Sequence, residues 1–125
     1  MNIGILTAGG VCPGVNTVIR SITLREKNQG NHVHGFADGF RGLNQNVRTY
    51  FDQEHIDEGP GSILKTSYDF VDVDRAIKNI NGLDRLYCIC GNESMKSARD
   101  LALDDRVDTN IIGIAKTVFN DMPGL

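Results

Sequence analysis

Three polar loops in this chain of 125 residues have the composition of a phosphate-binding site. They read GGVCPG at 9–14, GNES at 91–94 and KTVFND at 116–121. The first two loops run directly into segments with a helical pattern, and the free N–H groups and dipole of a helix N-terminus favour an anion. The sequence therefore predicts a phosphate-bearing ligand where these loops meet.

The third loop also contains a residue that does not suit polar chemistry. Phe119 is surrounded in sequence by Lys116, Thr117, Asn120 and Asp121. Polar side chains at the end of a buried strand usually hold a ligand or take part in a reaction, whereas a benzyl group cannot accept a proton. Two interpretations follow: Phe119 is a stacking surface for a base, or it only fills space at the site.

These loops follow strands within an alternating pattern of strands and helices. Buried parallel strands are predicted at 2–8, 85–91 and 110–115. Helices are predicted at 15–30, 71–82 and 94–105. Such alternation indicates βαβ units and a sheet covered by helices on both faces. In a parallel sheet all three loops leave the same edge, which the carboxyl ends of the strands form.

The remaining segments give weaker patterns. We predict a strand at 32–37, a loop at 39–46, a short strand at 47–51, a weak helix at 53–58 and a strand-like segment at 62–67. The sequence shows no internal repeats or linkers, and its length suits one domain, residues 1–125, with a single core.

Composition excludes several classes of protein. The chain has 13 basic and 16 acidic side chains, a net charge of −3, and lacks the basic patch of a nucleic-acid-binding protein. No apolar run is long enough for a transmembrane helix, and the N-terminus shows no signal-peptide pattern. We therefore expect a cytoplasmic protein that binds neither nucleic acid nor membrane.

Cysteines and histidines do not predict a metal site. Cys88 and Cys90 alternate onto one sheet face, where small buried side chains are expected, and with Cys12 they lack zinc spacing. His32 and His34 also share one strand face, and a polar-facing or capped pair is favoured there over a pair of metal ligands.

Taken singly, the loops are weak motifs. GGVCPG satisfies neither G-x-x-x-x-G-K-[ST] nor G-x-G-x-x-G, and it reads equally well as a tight turn with Pro13 in the first helical turn. Ser94 on its own is most simply a helix N-cap. The information lies in the combination of loops.

Together the loops resemble those of the phosphofructokinase family. IGILTAGGVCPGVNTVIR is similar to the family's opening strand and GGD-x-PG-x-N loop, ADGFRGL to its second-strand exit, and GPGSILKTS to its G-G-S-x-L-G-T-S segment. ICGNESMKSA resembles the GGD-(G/D)-S region, and IIGIAKTVFND resembles IG-x-PKTIDND. The resemblance runs in order from residue 3 to residue 124. It implies an α/β fold: a single Rossmann-like, three-layer domain with a mostly parallel sheet, similar to the N-terminal domain of phosphofructokinase.

Departures from the family pattern fall at its reaction centre. By this resemblance, Phe119 stands where the family has the aspartate that takes the sugar hydroxyl proton. Asn92 stands where an aspartate helps to hold magnesium, and a neutral amide is a poorer ligand for a hard dication. Loss of the base alone costs roughly 10² to 10⁴ in rate. The family's sugar site is also built largely from a second domain. These losses disfavour a working phosphofructokinase.

Other departures change the phosphate-facing edge. Val11 replaces the acidic residue of the first loop, and Cys90 and Lys65 replace glycines. Tyr68 replaces an arginine that contacts phosphate in ATP-dependent members. Arg20 matches an arginine that faces a nucleotide effector at a subunit boundary in bacterial members, and it reads equally well as a solvated helix residue.

The resemblance implies a retained ligand-binding edge without a catalytic residue. Its candidate residues are Gly9, Gly10, Val11, Cys12, Lys65, Tyr68, Gly91, Asn92, Glu93, Ser94, Lys116, Thr117, Phe119, Asn120 and Asp121. Lys116 resembles the lysine of pyrophosphate-using members. Glu93 stands where those members carry an aspartate that narrows the ATP pocket, and its carboxylate repels a phosphate by about 1 kcal/mol in water. A magnesium ion bound with the ligand, Lys65 or Lys116 would have to offset that repulsion.

Three functions are consistent with this pattern. The first is a non-catalytic protein that holds or sequesters a nucleotide or other phosphorylated small molecule, as a phage or viral protein that removes a nucleotide messenger would. The second is a divergent ATP- or pyrophosphate-dependent phosphotransferase with Asp121 as base. The third is a regulatory module that joins phosphofructokinase oligomers. The open edge left by a missing partner domain also predicts a homo-oligomer, with ligand sites between subunits.

Overall fold

The computed structural model describes residues 1–10, 14–49 and 64–116. Within these ranges five strands form one sheet in the order β3-β2-β1-β4-β5. The strands are β1 (Asn2–Ala8), β2 (His32–Phe36), β3 (Arg48–Thr49), β4 (Arg85–Cys90) and β5 (Asn110–Ala115). Neighbouring strands are parallel except for β2 and β3. The predicted α/β class with a mostly parallel sheet is confirmed.

Within the described ranges, four helices connect these strands. They are α1 (Val15–Asn28), α2 (Phe40–Gln45), α3 (Val73–Ile80) and α4 (Met95–Leu103). The three predicted helices are present and slightly shorter than expected. The Asp72 carboxylate caps α3 by accepting the backbone N–H of Arg75. None of the helices in the described ranges is long and apolar enough to cross a bilayer.

The helices cover both faces of the sheet, as the three-layer prediction requires. Leu6, Ala8, Cys88 and Cys90 belong to a buried cluster that also includes side chains of α2, α3 and α4. Ile3, Ile5 and Ile89 belong to a second cluster, which includes Val15 and Ile19 of α1. Alternate residues of β1 therefore face opposite layers. Each fully buried isoleucine of this kind contributes roughly 1.5–3 kcal/mol relative to an exposed one.

Cys88 and Cys90 are core residues, as predicted. Both thiols are fully buried and unpaired. Burial raises the pKa of Cys88 well above its usual value, and it raises the pKa of Cys90 to about 12 although Lys116 acts in the opposite direction. Both side chains are therefore neutral thiols at physiological pH.

The prediction of a loop at 39–46 is wrong, because Phe40–Gln45 form α2. Phe40 and Leu43 are one turn apart and both are fully buried, so packing stabilises a helix that its composition does not favour. Gly42 permits the close approach: a Cβ there would lie 1.7 Å from the carbonyl oxygen of Ala37.

The strand-like segment predicted at 62–67 is not a strand over its described part, residues 64–67. This segment crosses the carboxyl ends of β1 and β2, where it accepts hydrogen bonds from Gly9 N to Ser67 O at 2.9 Å and from Asp38 N to Leu64 O at 3.0 Å. Leu64 is buried, which explains the strand-like apolar signal. Residues 50–63 lie outside the described residues. They contain the whole helix predicted at 53–58, the end of the strand predicted at 47–51 and the start of the segment predicted at 62–67.

Candidate functional site

Three parallel strands end at the same level of the sheet. Ala8 of β1 is in register with Cys90 of β4, which is in register with Ala115 of β5. The residues that follow these positions therefore start side by side, which confirms that the three loops leave one edge. We call this the carboxyl edge and define it as residues 9–10, 65–68, 91–94 and 116.

The first two loops contact each other directly. The backbone N–H of Gly91 donates to the carbonyl of Ala8 at 3.2 Å. Gly9 has a φ of +93°, and a Cβ there would lie 3.3 Å from Gly91 N and 3.4 Å from Ser94 Oγ. Glycine is thus required at position 9, both for its backbone conformation and for the close approach of the two loops.

Residues 64–67 hold the first loop from the other side. Thr66 Oγ1 donates to Gly9 O at 2.6 Å, and Thr7 Oγ1 donates to Lys65 O at 2.8 Å. Ser67 Oγ donates to Asp38 O at 2.7 Å. These hydrogen bonds tie the end of β1 to the turn after β2, so the carboxyl edge is a fixed frame rather than a set of independent loops.

Lys116 joins the third loop to the first. Its side chain is only 6% exposed, and Nζ donates to Gly10 O at 2.6 Å. A buried ammonium is costly unless it is compensated, and Lys116 has a further interaction besides its hydrogen bond to Gly10 O. Its positive charge lies beside the loop that the sequence identifies as phosphate-binding.

The second loop presents donors at the start of α4. Among the described residues, no acceptor receives a hydrogen bond from the backbone N–H groups of Asn92, Glu93 and Ser94. These are amides of the first turn, where an anion is favoured. Within the part of the chain that the structure describes, a Cβ on Gly91 would have no atom within 4 Å.

Ser94 is the N-cap of α4 by position and does not cap it chemically. Its side chain makes no capping hydrogen bond, although the residue is only 5% exposed. Its hydroxyl lies next to Gly9 and Gly91. The simple N-cap interpretation is therefore wrong, and the hydroxyl remains a donor for a molecule bound at the edge.

A residue that the sequence analysis missed compensates Glu93. Lys96 Nζ lies 3.2 Å from Glu93 Oε2, and both side chains are exposed. The spacing of three residues on a helix was the available signal. Surface pairs of this kind are weak, yet this pair adds a cation to those expected to balance the Glu93 charge. A cavity of about 260 Å³ lies beside it, lined by Asn92, Met95, Lys96 and Arg99.

Lys65 and Tyr68 replace a glycine and an arginine of the family pattern, and both are exposed at the carboxyl edge. Lys65 has a φ of +61°, a left-handed conformation that glycine adopts more easily, and its side chain is exposed. Tyr68 is 74% exposed, and its hydroxyl oxygen would lie 3.0 Å from a Cβ on Gly10. A phenol group therefore stands over the first loop and is available for contact.

Some predicted site residues lie outside the described residues. They are Val11, Cys12, Thr117, Phe119, Asn120 and Asp121. Arg20 is described and lies exposed on α1, and its role at an interface stays a prediction.

Described residues do not supply a site for a resident metal. No group of three or more His, Cys, Asp and Glu side chains comes together within the described ranges. At the carboxyl edge these ranges offer Glu93, which pairs with Lys96, and the neutral Asn92. On β2, His32 is exposed and His34 is half-buried. Burial lowers the pKa of His34, and the charges of Arg48 and His32 lower it further.

Comparisons with known proteins agree with this geometry. The family model described as Phosphofructokinase matches residues 2–125. An ATP-dependent 6-phosphofructokinase of Mycobacterium leprae is 37% identical over 134 residues, which cover 98% of this chain and 38% of that protein. ATP-dependent 6-phosphofructokinase 3 of Bacteroides thetaiotaomicron is 35% identical, covering 99% of this chain and 41% of that protein. The chain thus spans about two fifths of the length of these curated relatives.

Solved structures share the fold. Pichia pastoris phosphofructokinase in the T-state matches with a TM-score of 0.76 at 22% identity, over 98% of this chain and 16% of that chain. The pyrophosphate-dependent phosphofructokinase from Marinobacter aquaeolei matches with a TM-score of 0.70 at 18% identity, over 91% and 32%. With a family match that spans residues 2–125, this chain belongs to the phosphofructokinase family.

Proposed function

We propose that this chain binds a nucleotide or another phosphorylated small molecule at the carboxyl edge and does not transfer its phosphoryl group. The proposal is based on a group of hydrogen-bond donors at the start of α4 that have no acceptor among the described residues. Ser94 is buried, yet its hydroxyl makes no capping bond, and the neighbouring amides of α4 also lack acceptors in the described ranges. Hydrogen bonds from such groups to a charged ligand are worth about 1.5–3 kcal/mol each.

Charge at the edge supports an anion. The ammonium of Lys116 is buried beside Gly10, and the carboxylate of Glu93 is paired with Lys96. A phosphate placed near Ser94 then meets a buried positive charge and a compensated negative one. Because Lys116 is buried, water and salt screen its attraction for the phosphate less than they would at the surface.

The chemistry of position 92 argues against phosphoryl transfer. Transfer depends on metal ions that bridge and neutralise the phosphates, and the amide of Asn92 is a weak ligand for Mg²⁺. A magnesium ion carried in by a nucleotide remains compatible with binding. In that case Mg²⁺ binds together with the nucleotide and is not a resident cofactor of the chain.

The first test is mass spectrometry of small molecules released by heating the purified protein, followed by calorimetry with each one found. We expect a stoichiometric phosphorylated compound that is released unchanged. Ser94→Ala removes one donor and is expected to weaken binding about tenfold. Ser21→Ala, an exposed serine of α1, is the matched control and should bind as the unmodified chain does. A protein that carries no compound and ignores ATP, pyrophosphate and cyclic nucleotides would overturn the proposal.

A divergent phosphotransferase is the second candidate, because the relatives that match the whole chain are named ATP-dependent 6-phosphofructokinases. Asp121 would act as the base. This candidate requires Mg²⁺-dependent release of phosphate from ATP or pyrophosphate and its loss in Asp121→Ala. Unchanged ATP after prolonged incubation with stoichiometric protein would reject it.

Sequestration and self-association complete the proposal. A protein that removes a messenger must release it slowly, so we expect a slow dissociation rate in stopped-flow exchange with labelled ligand. Light scattering after size exclusion measures the proposed homo-oligomer. Co-elution with a phosphofructokinase in place of a ligand would favour the regulatory module instead.

A further inference from the structure

A second polar cleft lies between α2 and α3, apart from the residues of the carboxyl edge. Its volume is about 280 Å³, and the described residues that line it are amide or basic: Asn44, Gln45, Arg75, Lys78 and Asn79. Among the described residues, neither a carboxylate nor an apolar side chain lines it. In a chain with a net charge of −3, such a cleft is a local concentration of positive charge.

Both cations of this cleft are unpaired within the described residues. The side chains of Arg75 and Lys78 make no ion pair or hydrogen bond there, although they lie one turn apart on α3. Nearby carboxylates have other partners. Asp72 accepts the backbone N–H of Arg75 at 3.3 Å, and Asp74 pairs with Arg106 at 3.0 Å. The guanidinium and ammonium groups therefore remain available to an anion from solution.

Hydrogen bonds hold the amide walls of the cleft in place. Asn79 Nδ2 donates to Leu43 O at 2.7 Å and to Asn44 O at 3.1 Å. These carbonyls lie at the C-terminal end of α2, where free acceptors would repel an anion. Asn44 in turn donates to Phe70 O at 3.1 Å and accepts from Asp72 N at 2.8 Å. The cleft is thus preorganised, which lowers the entropy cost of binding.

A third cation lies behind Asn79. Arg48 donates from Nη2 to Asn79 O and from Nε to Asn46 Oδ1 at 2.9 Å. Its guanidinium carbon is 5.0 Å from the centroid of the Phe36 ring. Arg48 is held in position by these contacts, so its charge adds to the positive potential of the cleft without occupying it.

We propose that this cleft is a second anion site, which takes a small phosphate-bearing molecule. An arginine fork and a lysine point charge together suit the several oxygens of a phosphate group. The volume of about 280 Å³ lies just below the range of roughly 300–1,000 Å³ for pockets that hold drug-sized ligands. A compact anion therefore fits better than a whole nucleotide. Asn44 also hydrogen-bonds to Phe70 O and Asp72 N, which follow Tyr68 in the chain.

Inorganic pyrophosphate is the probe, titrated at a constant ionic strength of about 0.15 M so that general screening is fixed. NMR of the Asn44 and Asn79 side-chain amides reports on this cleft, and the Gly91 and Ser94 amides report on the carboxyl edge. We expect saturable shifts of the Asn79 signals, with a dissociation constant raised about tenfold in Arg75→Ala.

Arg25→Ala is the matched control, because Arg25 is an exposed arginine of α1 that makes no ion pair with the described residues, and its loss changes the net charge equally. Arg75→Lys keeps the charge without the fork and should give an intermediate affinity. If Arg75→Ala and Arg25→Ala weakened pyrophosphate binding equally, the effect would come from net charge rather than from this cleft, and the proposal would be overturned. Shifts confined to Gly91 and Ser94 would also overturn it, while leaving the first site intact.

Discussion

The two ends of the sheet treat their buried polar groups in opposite ways. At the amino end, the Glu26 side chain is 2% exposed and its carboxylate accepts hydrogen bonds from Asn31 Nδ2 at 2.8 Å, Arg85 Nη2 at 3.0 Å and Tyr87 Oη at 2.8 Å. At the carboxyl edge, the hydroxyl of Ser94, a residue that is 5% exposed, makes no capping bond. The Glu26 carboxylate is thus satisfied internally, although Arg85 Nε is buried without a partner among the described residues, whereas the carboxyl edge keeps donors for a ligand.

This difference separates stability from binding. A network whose members satisfy one another stabilises the fold and has little capacity to bind anything else. Donors without acceptors cost stability and are retained where a ligand completes them. Removing a member of the network at the amino end should therefore lower stability without changing ligand affinity per folded molecule. Removing a donor group at the carboxyl edge should weaken binding with little change in stability.

Glu26→Ala gives the largest expected effect. It leaves the guanidinium of Arg85 without its carboxylate and removes the acceptor of Tyr87. Breaking a fully buried ion pair from one side costs about 3–5 kcal/mol, and the Arg85 side chain is 28% exposed, so we expect a loss somewhat below that range. The urea midpoint should fall clearly while the remaining folded fraction binds ligand normally. Ser94→Ala is the comparison at the other end, with a stability change below about 0.5 kcal/mol. Equal loss of stability in both variants would contradict the separation.

Acid should weaken the amino end selectively. Burial alone would raise the pKa of Glu26, but hydrogen bonds from Asn31 and Tyr87 and the charge of Arg85 outweigh it, so the pKa is lowered. A lowered folded-state pKa stabilises the protein above the unfolded value of about 4.5 and loses that contribution as pH falls through the folded value. Urea titrations from pH 7 to pH 3 should therefore show a difference between Glu26→Gln and the unmodified chain that narrows with acid. If the stability difference between the two proteins stayed constant from pH 7 to pH 3, the charge of Glu26 would not be its cause.

Gly9→Ala and Gly91→Ala form a matched pair at the carboxyl edge. At Gly9 the added methyl meets Gly91 N at 3.3 Å with φ at +93°, so we expect a loss of about 1–3 kcal/mol in unfolding free energy. At Gly91 the methyl has open space, so stability should be nearly unchanged. The same methyl points toward the proposed ligand, and calorimetry should show weaker binding. Unaltered affinity in Gly91→Ala would place the ligand elsewhere.

Lys65→Gly gives the smallest expected effect, in the stabilising direction. A left-handed conformation costs a non-glycine residue about 1–2 kcal/mol, and glycine loses roughly 0.5–1 kcal/mol more entropy on folding. The net gain should be about 0.5 kcal/mol, seen as a small rise in melting temperature. If the substitution also weakens ligand binding, the exposed ammonium of Lys65 contributes to the site. Lys65→Ala tests this separately, because it removes the charge and keeps the strain.

Sequence patterns predicted the parts of the fold that depend on local periodicity. The apolar runs of β1, β4 and β5 and the helical patterns of α1, α3 and α4 were sufficient to predict that three loops share one edge. The placement of Gly9, Gly91 and Ser94 at one edge could be predicted in the same way, because strands that end in register bring the first residues of their loops together. The phosphofructokinase resemblance extended this prediction to the whole chain.

The parts that were missed depend on distant contacts. Helix α2 contains Gly42 and Asn44, which do not favour a helix, and it forms because Phe40 and Leu43 are buried against the sheet. Glu26 appears in the sequence as one of several charged residues near the end of α1, and its partners Arg85 and Tyr87 are about sixty residues away. The pair of Glu93 and Lys96 is an exception, because it is a local contact that its spacing of three residues on a helix could have predicted.

The position of β1 also affects how the chain is made. This strand is the third of five across the sheet within the described ranges, and both strands that flank it come later in the chain. Its two neighbours begin at His32 and Arg85. At about 5–20 residues per second, the apolar run of β1 waits on the order of ten seconds for its second neighbour. During synthesis β1 is thus made well before the second strand that pairs with it, and its apolar surface can meet other chains over that time.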